Sequence, residues 1–401
     1  MNTPGFDASR LAVMHEIMAR SAGTPALPGL VTLISRSGET DVQAYGTTTV
    51  DGDTPMAPDT IFRLASVTKP IVAAAAMTLI EDCTLRLDDP VDPILPELAN
   101  RHVLRSLDSD LTDTVSAERP ITMRDLLTMT PGYGLVFANP GTYPIQQAIA
   151  DAGLAPGPDN PTMTADEILQ QYAELPLLAQ PGTRFFYNDG LNLLGILLAR
   201  ATDMTLGDLL QERLFAPLGM VDTGFSVPAA KADRIPGQYF RNPQNGEVVE
   251  YDPAGAQSMF TSPPAFESGA GGLASTAADL LAFGEMMLGN GTREDVRVLS
   301  RASVLLMTTN QLTPAQTNPA DFFPGFWDSH GWGFGLAIDT KRTDLFQTPG
   351  RYGWDGAYGT SLHVDPVEDV IGVLLTQQAW DGLGLPRVLF DFWNSAYQAL
   401  A

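Results

Sequence analysis

A serine and a lysine three residues apart, Ser66 and Lys69, have the spacing of a nucleophile and its base. If a helix begins near Ser66, the two side chains share one face and can meet in one pocket. Apolar neighbours and the positive end of the helix dipole would both lower the pKa of the lysine. A partly neutral lysine can accept the serine proton. The alternative is a serine that caps a helix, followed by a solvated lysine. The pair alone leaves both interpretations open.

The elements around this pair indicate how it would be positioned. Pro70 to Asp82 is alanine-rich and uniformly apolar, which predicts a buried helix. Its proline falls in the first turn, where a missing N–H costs nothing. Upstream, Leu30 to Ser35 and Asp41 to Tyr45 predict two strands joined by a short turn. The serine would therefore lie between a strand pair and a core helix.

Strand patterns return near the C-terminus, over Gly333 to Asp339, Thr360 to Asp365 and Val370 to Thr376. The middle of the chain has short helical patterns with many prolines and glycines. Strands at both ends and a helical middle predict an α+β fold, with one antiparallel sheet built from both termini and flanked by helices. We expect a sheet domain from residues 1–82 and 257–401, a mainly helical inserted domain from 83–256, and the active site in the cleft between them.

Charge and composition exclude several classes of function. The formal net charge of −24 repels nucleic acid and anionic lipid. No apolar run approaches the roughly 18 residues of a membrane span. The single cysteine, Cys83, fits a reducing cytoplasm, and the first residues resemble an amphipathic helix more than a secretory signal. We therefore expect a cytoplasmic protein with no nucleic-acid or membrane partner.

The common signatures of other enzyme classes do not occur. The sequence has no G-x-S-x-G and no H-E-x-x-H, and its four histidines lack the spacing of metal ligands. No glycine-rich phosphate loop follows a strand and opens a helix. The sequence therefore predicts neither a metal nor a cofactor.

Several longer stretches resemble the serine beta-lactamase and penicillin-binding-protein superfamily, and most closely the class C-like carboxylesterases called family VIII. The stretches are PDTIFRLASVTKPI (58–71), LDDPV (87–91), ITMRDLLTMTPGYG (121–134), PGTRFFYNDGLNLLG (181–195), LFAPLGMVDTGF (214–225), SGAGGLASTAADLLAFGEMML (268–288) and GWDGAYGTSLHVDP (353–366). They span almost the whole chain in the order of the family. The resemblance implies a beta-lactamase-like fold in which Ser66 and Lys69 are catalytic.

The second motif of this superfamily, Y-x-N, corresponds here to Tyr187–Asn188–Asp189. The resemblance implies that Tyr187 is the third catalytic residue, acting as a phenolate or as a hydrogen-bonded relay with Lys69. Asp189 replaces the usual asparagine, an amide that can contact substrate. An ionised carboxylate accepts hydrogen bonds but cannot donate them. Asp189 is kept as a candidate substrate contact, but the change weakens the case for an amide substrate.

The third motif, K-T-G or H-x-G in lactam-processing members, corresponds to Trp354–Asp355–Gly356. Trp354 would offer an apolar wall where a lactamase holds its anionic substrate with a cation, and Asp355 would repel an anion unless it points away. Gly356 would let the strand approach the substrate closely. The resemblance implies an oxyanion hole formed by the backbone N–H groups of Ser66 and Ala357.

The sequence therefore predicts a serine carboxylesterase that hydrolyses small neutral acyl esters through an acyl-enzyme on Ser66, with a small-molecule ester as partner. Tyr133 and Phe137 are candidates to line the substrate pocket, although core packing explains each equally well. The same catalytic residues would serve a beta-lactamase, a D-amino-acid peptidase or amidase, or an acyltransferase. A non-catalytic binding protein on the same fold is the alternative from another class.

Overall fold

The computed structural model describes residues 5–155, 157, 162–318, 322–382 and 384–401. Its α-helices, numbered along the chain, are α1 Ala8–Ser21, α2 Thr68–Glu81, α3 Met123–Leu127, α4 Pro144–Asp151, α5 Ala165–Glu174, α6 Asp189–Thr202, α7 Leu206–Leu210, α8 Ala216–Leu218, α9 Ala277–Leu288, α10 Arg301–Met307, α11 Phe326–Ser329 and α12 Arg387–Gln398. A π-helical turn, Gln211–Phe215, joins α7 to α8.

The strands of the described residues are β1 Gly29–Arg36, β2 Glu39–Gly46, β3 Phe62–Arg63, β4 His102–Leu104, β5 Thr114–Ser116, β6 Gln238–Arg241, β7 Val248–Asp252, β8 Ala274–Ser275, β9 Thr292–Arg293, β10 Val296–Arg297, β11 His330–Trp332, β12 Ala337–Asp339, β13 Tyr352–Gly356, β14 Thr360–Asp365, β15 Val370–Thr376 and β16 Gln378–Ala379. The main sheet has seven strands in the order β11-β12-β13-β14-β15-β1-β2. Each neighbouring pair is antiparallel. One antiparallel sheet built from both termini was predicted, and this prediction is confirmed.

One predicted strand was wrong in its extent. Residues 333–336 do not continue β12 but form the turn between β11 and β12, in which Gly333 N–H donates to the Leu336 carbonyl at 2.9 Å. Gly335 has a φ of +70°, a conformation that glycine adopts without steric cost. The apolar pattern continued through the turn, so the pattern alone did not show where the strand began.

Helices cover both faces of the main sheet. The alternation of side chains along β1 shows the two layers: Leu30 and Ile34 pack in a cluster with α1 and α12, whereas Val31 and Leu33 point into the larger core. Trp393 of α12 belongs to the first cluster, and α2 and α9 belong to the second. The sheet is therefore buried on both sides, and α2 lies in the middle of the protein.

The segment between α2 and residue 257 contains α3 to α8, and α6 packs against α2. It also contains β6 and β7, which form a small sheet with β16, so it is not wholly helical. The domain boundaries at 82 and 257 stay a prediction. Within the described ranges, no helix has the length and apolar character needed to cross a membrane. The same ranges hold no group of three or more His, Cys, Asp and Glu side chains arranged to bind a metal ion.

Candidate active site

Ser66 lies in a strained turn that leads into α2. Ser66 is the middle residue of a 3-10 turn, Ala65–Val67. Ala65 has a φ of +47°, which is unusual for a residue with a Cβ. Two hydrogen bonds hold the turn: Leu64 N–H donates to the Leu273 carbonyl at 2.8 Å, and the Thr360 hydroxyl donates to the Leu64 carbonyl at 2.6 Å. Ser66 is only half-buried, unlike its neighbours. The surrounding fold thus maintains a strained backbone that presents the Ser66 hydroxyl.

Lys69 lies in the first turn of α2 and is fully buried. Its Nζ lies 2.8 Å from Oγ of Ser66 and donates to the Ala270 carbonyl at 2.6 Å. Burial lowers the pKa of Lys69 well below its ordinary value, and the charge of Asp189 opposes this only partly. Burial therefore favours a neutral amine, whose lone pair can accept the proton of Ser66.

Tyr187 stands immediately before α6, where Asn188 has a φ of +90°. The Trp354 indole N–H donates to Oη of Tyr187 at 2.6 Å, and Nζ of Lys69 lies 4.5 Å from the centroid of the phenol ring. Burial raises the pKa of Tyr187 far above its ordinary value, and hydrogen bonds with Ser66 and Trp354 reduce this effect only partly. Tyr187 is therefore held as a neutral phenol beside the serine and the lysine.

The first two residues of the third motif, Trp354 and Asp355, point to opposite faces of β13. Trp354 faces Tyr187, whereas Asp355 faces α12 and accepts a hydrogen bond from Ser361 at 2.5 Å. The Trp393 indole of α12 also donates to Oγ of Ser361, at 3.1 Å. Burial raises the pKa of Asp355 to about 6. The structure thus brings Trp354 to the serine cluster, and it does not bring Asp355 there.

Gly356 brings the end of β13 against the turn that carries Ser66. A Cβ added at Gly356 would lie 2.1 Å from the Leu64 carbonyl oxygen, so no larger residue fits without displacing the backbone. Ala357 follows in an exposed position, and its carbonyl accepts from Trp380 N–H at 2.8 Å. The close approach brings the end of β13 against the turn of Ser66, and the oxyanion hole of Ser66 and Ala357 stays a prediction.

The three remaining predicted site residues lie at different distances from the cluster. Asp189 is buried, accepts a hydrogen bond from the Asn188 amide at 3.2 Å, and has a pKa that burial raises to about 6. The ring of Phe137 lies 6.5 Å from that of Tyr187. Tyr133 lies apart: its hydroxyl donates to the Tyr172 carbonyl at 2.6 Å within the core. Asp189 and Phe137 therefore join the cluster, and Tyr133 supports the fold around α5.

Aromatic side chains form a wall over Tyr187 and Trp354. The centroid of the Phe322 ring lies 5.2 Å from that of Tyr187 and 6.1 Å from that of Trp354, and its plane is nearly parallel to the indole. Trp332 contacts the same two rings. Trp332 was not predicted from the sequence, because a tryptophan at the end of a short strand carries no signal of long-range packing.

A serine before a buried helix lies beside a lysine and a tyrosine, with the end of β13 opposite. This arrangement defines a serine hydrolase of the beta-lactamase-like fold. The Beta-lactamase family model matches residues 14–382, and the chain belongs to this family. The resemblance seen in the sequence, the α+β fold and the class of serine hydrolase are therefore confirmed.

Three known proteins illustrate the breadth of the similarity. Protein Rv1367c of Mycobacterium tuberculosis is 38% identical over 361 residues, which cover 88% of this chain and 87% of that protein. Esterase EstB of Burkholderia gladioli is 30% identical over 407 residues, with 96% and 95% covered. The solved structure of EstCE1, described as a hydrolase with promiscuous acyltransferase activity, has a TM-score of 0.78 at 26% identity and covers 97% of this chain and 99% of its own.

Proposed function

We propose that the protein is a carboxylesterase that hydrolyses small neutral acyl esters through an acyl-enzyme on Ser66. The hydrogen bond of 2.6 Å from the Trp354 indole to Tyr187 carries the proposal. At this position the lactam-processing members of the superfamily have a cation. Trp354 holds the phenol with a neutral N–H donor and adds an apolar wall, which suits an uncharged acyl group better than an anionic lactam. The similarity to an esterase and to a hydrolase supports this choice.

Acylation would begin with attack of Oγ of Ser66 on the ester carbonyl carbon. The proton of Ser66 would pass to Nζ of Lys69, which lies 2.8 Å away. The negative charge that develops on the carbonyl oxygen would be stabilised by the backbone N–H groups of Ser66 and Ala357. The hydrogen bond to the Ala270 carbonyl keeps the lysine nitrogen aimed while it changes protonation state.

Release of the alcohol requires a proton on the leaving oxygen. Tyr187 is a neutral phenol that accepts a hydrogen bond from Trp354, so its own proton is free to be donated toward Ser66 or the leaving oxygen. Lys69, protonated in the first step, would resupply this proton. A water molecule would then attack the acyl-enzyme, with the same groups working in reverse. The phenol thus acts as a relay and not as a phenolate base.

The test is hydrolysis of p-nitrophenyl esters of increasing acyl length, with a chromogenic cephalosporin and a D-amino-acid amide measured beside them. We expect ester turnover to exceed both, Ser66→Ala to abolish it, and intact-mass spectrometry to show one acyl group on the wild-type chain. Cephalosporin turnover faster than ester turnover would overturn the argument from Trp354. Full activity of Ser66→Ala would exclude the serine mechanism.

Acyl transfer is a second candidate, and the aromatic wall favours it. Rings from Phe137, Phe322 and Trp354 surround Tyr187 and limit the access of water to the acyl-enzyme. EstCE1 is described as having promiscuous acyltransferase activity. Adding a primary alcohol during ester turnover measures the partition: more transfer product than free acid would assign the chain to acyl transfer.

A further inference from the structure

A cavity lies beside β13, lined by residues of this strand and of α12. Its volume is about 320 Å³, near the lower end of the range for small-molecule sites. Much of its lining is apolar, from the side chains of Phe326, Phe346, Trp380, Leu389, Phe390 and Trp393. Trp354 and Asp355 of β13 also line it. The cavity therefore lies between the sheet and α12 and shares one strand with the serine site.

A cation, Arg351, also lines this cavity and is almost fully buried. Two aromatic rings pack against its guanidinium: the carbon Cζ lies 4.2 Å from the centroid of Trp393 and 5.1 Å from that of Phe346. Its Nη1 donates to Asp339 at 3.0 Å. Because the guanidinium is planar, its hydrogen-bond partners approach it at the edge of that plane.

One edge of the Arg351 guanidinium has no partner within the described residues. Both Nε and Nη2 are buried and make no hydrogen bond there. These two nitrogens point their N–H groups in the same direction and form the fork that binds a carboxylate through two parallel hydrogen bonds. A buried donor without a partner destabilises the fold, and more so when it is charged. The fork is therefore a site that needs an acceptor.

Most other polar groups that line the cavity have partners. Asp355 accepts from Ser361 at 2.5 Å. The His330 ring lies 3.0 Å from Asp339 and 3.2 Å from the Gln347 amide. Asp339 is thus shared between Arg351 and His330, and its charge offsets that of the arginine only at the Nη1 side. The Trp380 indole N–H also lacks a partner in the described part of the chain, but it is a single uncharged donor. The charged donors without an acceptor are those of the Arg351 fork.

We propose that this cavity binds a small carboxylic acid with an aryl or short alkyl body. The carboxylate would bind Nε and Nη2 of Arg351, and the apolar body would lie among the rings of Phe346, Trp393 and their neighbours. Asp355 shares the cavity and opposes an anion, so replacing its charge should strengthen binding. Ser66, Lys69 and Tyr187 do not line this cavity, so carboxylate binding can be tested independently of ester hydrolysis.

Binding of benzoate to the intact protein, measured by calorimetry, tests the proposal in solution, with benzyl alcohol as the uncharged control. We expect benzoate to bind at one site and benzyl alcohol to bind at least tenfold more weakly. Arg351→Lys keeps the charge but lacks the fork and should lower the affinity for benzoate at least tenfold. Asp355→Asn should raise this affinity several-fold. Arg105→Lys, an exposed arginine outside the cavity, is the matched control and should change nothing.

The location is tested on the wild-type protein, so that a misfolded variant cannot decide the outcome. Crystals soaked with 4-bromobenzoate should show the anomalous signal of bromine inside the cavity, with the carboxylate within hydrogen-bond distance of Arg351. Bromine only beside Ser66 or on the surface would overturn the proposal. So would equal affinity for benzyl alcohol, equal affinity in Arg351→Lys, or failure of benzoate to bind in solution.

Discussion

The two faces of strand β13 provide different chemistry from neighbouring residues. On one face, the Trp354 indole N–H holds the Tyr187 hydroxyl at 2.6 Å beside Ser66. On the other, Asp355 accepts from Ser361 at 2.5 Å under α12. Because strand side chains alternate, one motif supplies a wall for the serine site and a carboxylate for the cavity behind it. Neighbouring residues of one sequence motif can therefore serve different sites.

Each face also has a buried basic side chain, and the two differ in whether they can give up a proton. Lys69 is fully buried, and its pKa is lowered well below the ordinary value, chiefly by burial. Arg351 is equally buried but retains its charge, because a guanidinium does not lose its proton in proteins, and it is paired with Asp339. The Lys69 face is therefore suited to proton transfer, and the Arg351 face to holding an anion.

The largest expected effect comes from Lys69→Met, which removes the proposed base and keeps a side chain of similar length. We expect kcat/KM for a short-chain ester to fall by about 10³-fold or more, since Nζ of Lys69 lies 2.8 Å from Oγ of Ser66 and is the proposed acceptor of its proton. The melting temperature should not fall, because a buried amine is replaced by an apolar group. A loss under tenfold would show that another group accepts the proton.

Lys69→Arg is the matched control, because it keeps a cation that cannot act as a base. It should be as inactive as Lys69→Met. In the wild type, the lowered pKa means that the neutral base gains population as pH rises, so kcat/KM should rise with pH and level off above the pKa of Lys69. An activity that fell over the same pH interval would contradict the assignment of Lys69 as the base.

Trp354→Phe tests the front face of β13 and should have an intermediate effect. The ring remains, but the donor to Oη of Tyr187 is lost, and this phenol is buried. A lost hydrogen bond to a buried group costs about 1–3 kcal/mol, so we expect kcat to fall roughly tenfold to a hundredfold while KM changes little. Trp332→Phe removes an indole from the same wall that has no such bond to Tyr187, and it should keep most of the activity.

Much of the serine site followed from the sequence because its determinants are local. The three-residue spacing of Ser66 and Lys69 and the apolar run after them predict a shared helical face. The 3-10 turn of Ser66 continues into α2 and brings the two side chains together, as the spacing requires. The resemblance supplied Tyr187, which no local pattern identifies. Asp355 was predicted beside the substrate because motif letters do not state which face of a strand each residue occupies.

The remaining features depend on contacts between distant segments. Tyr133 was a pocket candidate, but its hydroxyl bonds to the end of α5, almost forty residues along the chain. Arg351 belongs to no sequence motif. Its proposed role in binding depends on its packing against Phe346 and Trp393, which come from a loop and from α12. Such pairings are set by tertiary packing, which propensity and periodicity do not specify. The cavity behind β13 was therefore beyond prediction from sequence.

The smallest expected effect on activity comes from Ser361→Ala, which disturbs only the rear face of β13. It leaves the Asp355 carboxylate without the donor at 2.5 Å and the Trp393 indole without its acceptor. We expect the free energy of unfolding to fall by about 1–3 kcal/mol in urea, because buried polar groups lose their partners. Ester turnover should change less than threefold, because Trp354 and Tyr187 keep their contact.

The pH dependence of that stability loss would show whether Asp355 is its source. Burial raises the pKa of Asp355 to about 6, and the Ser361 hydrogen bond opposes this rise by favouring the ionised form. Removing Ser361 should therefore cost more at pH 8, where the carboxylate is charged, than at pH 5, where it is protonated. A loss independent of pH would assign the effect to Trp393. A loss of turnover as large as that of Trp354→Phe would instead show that the two faces of β13 are coupled.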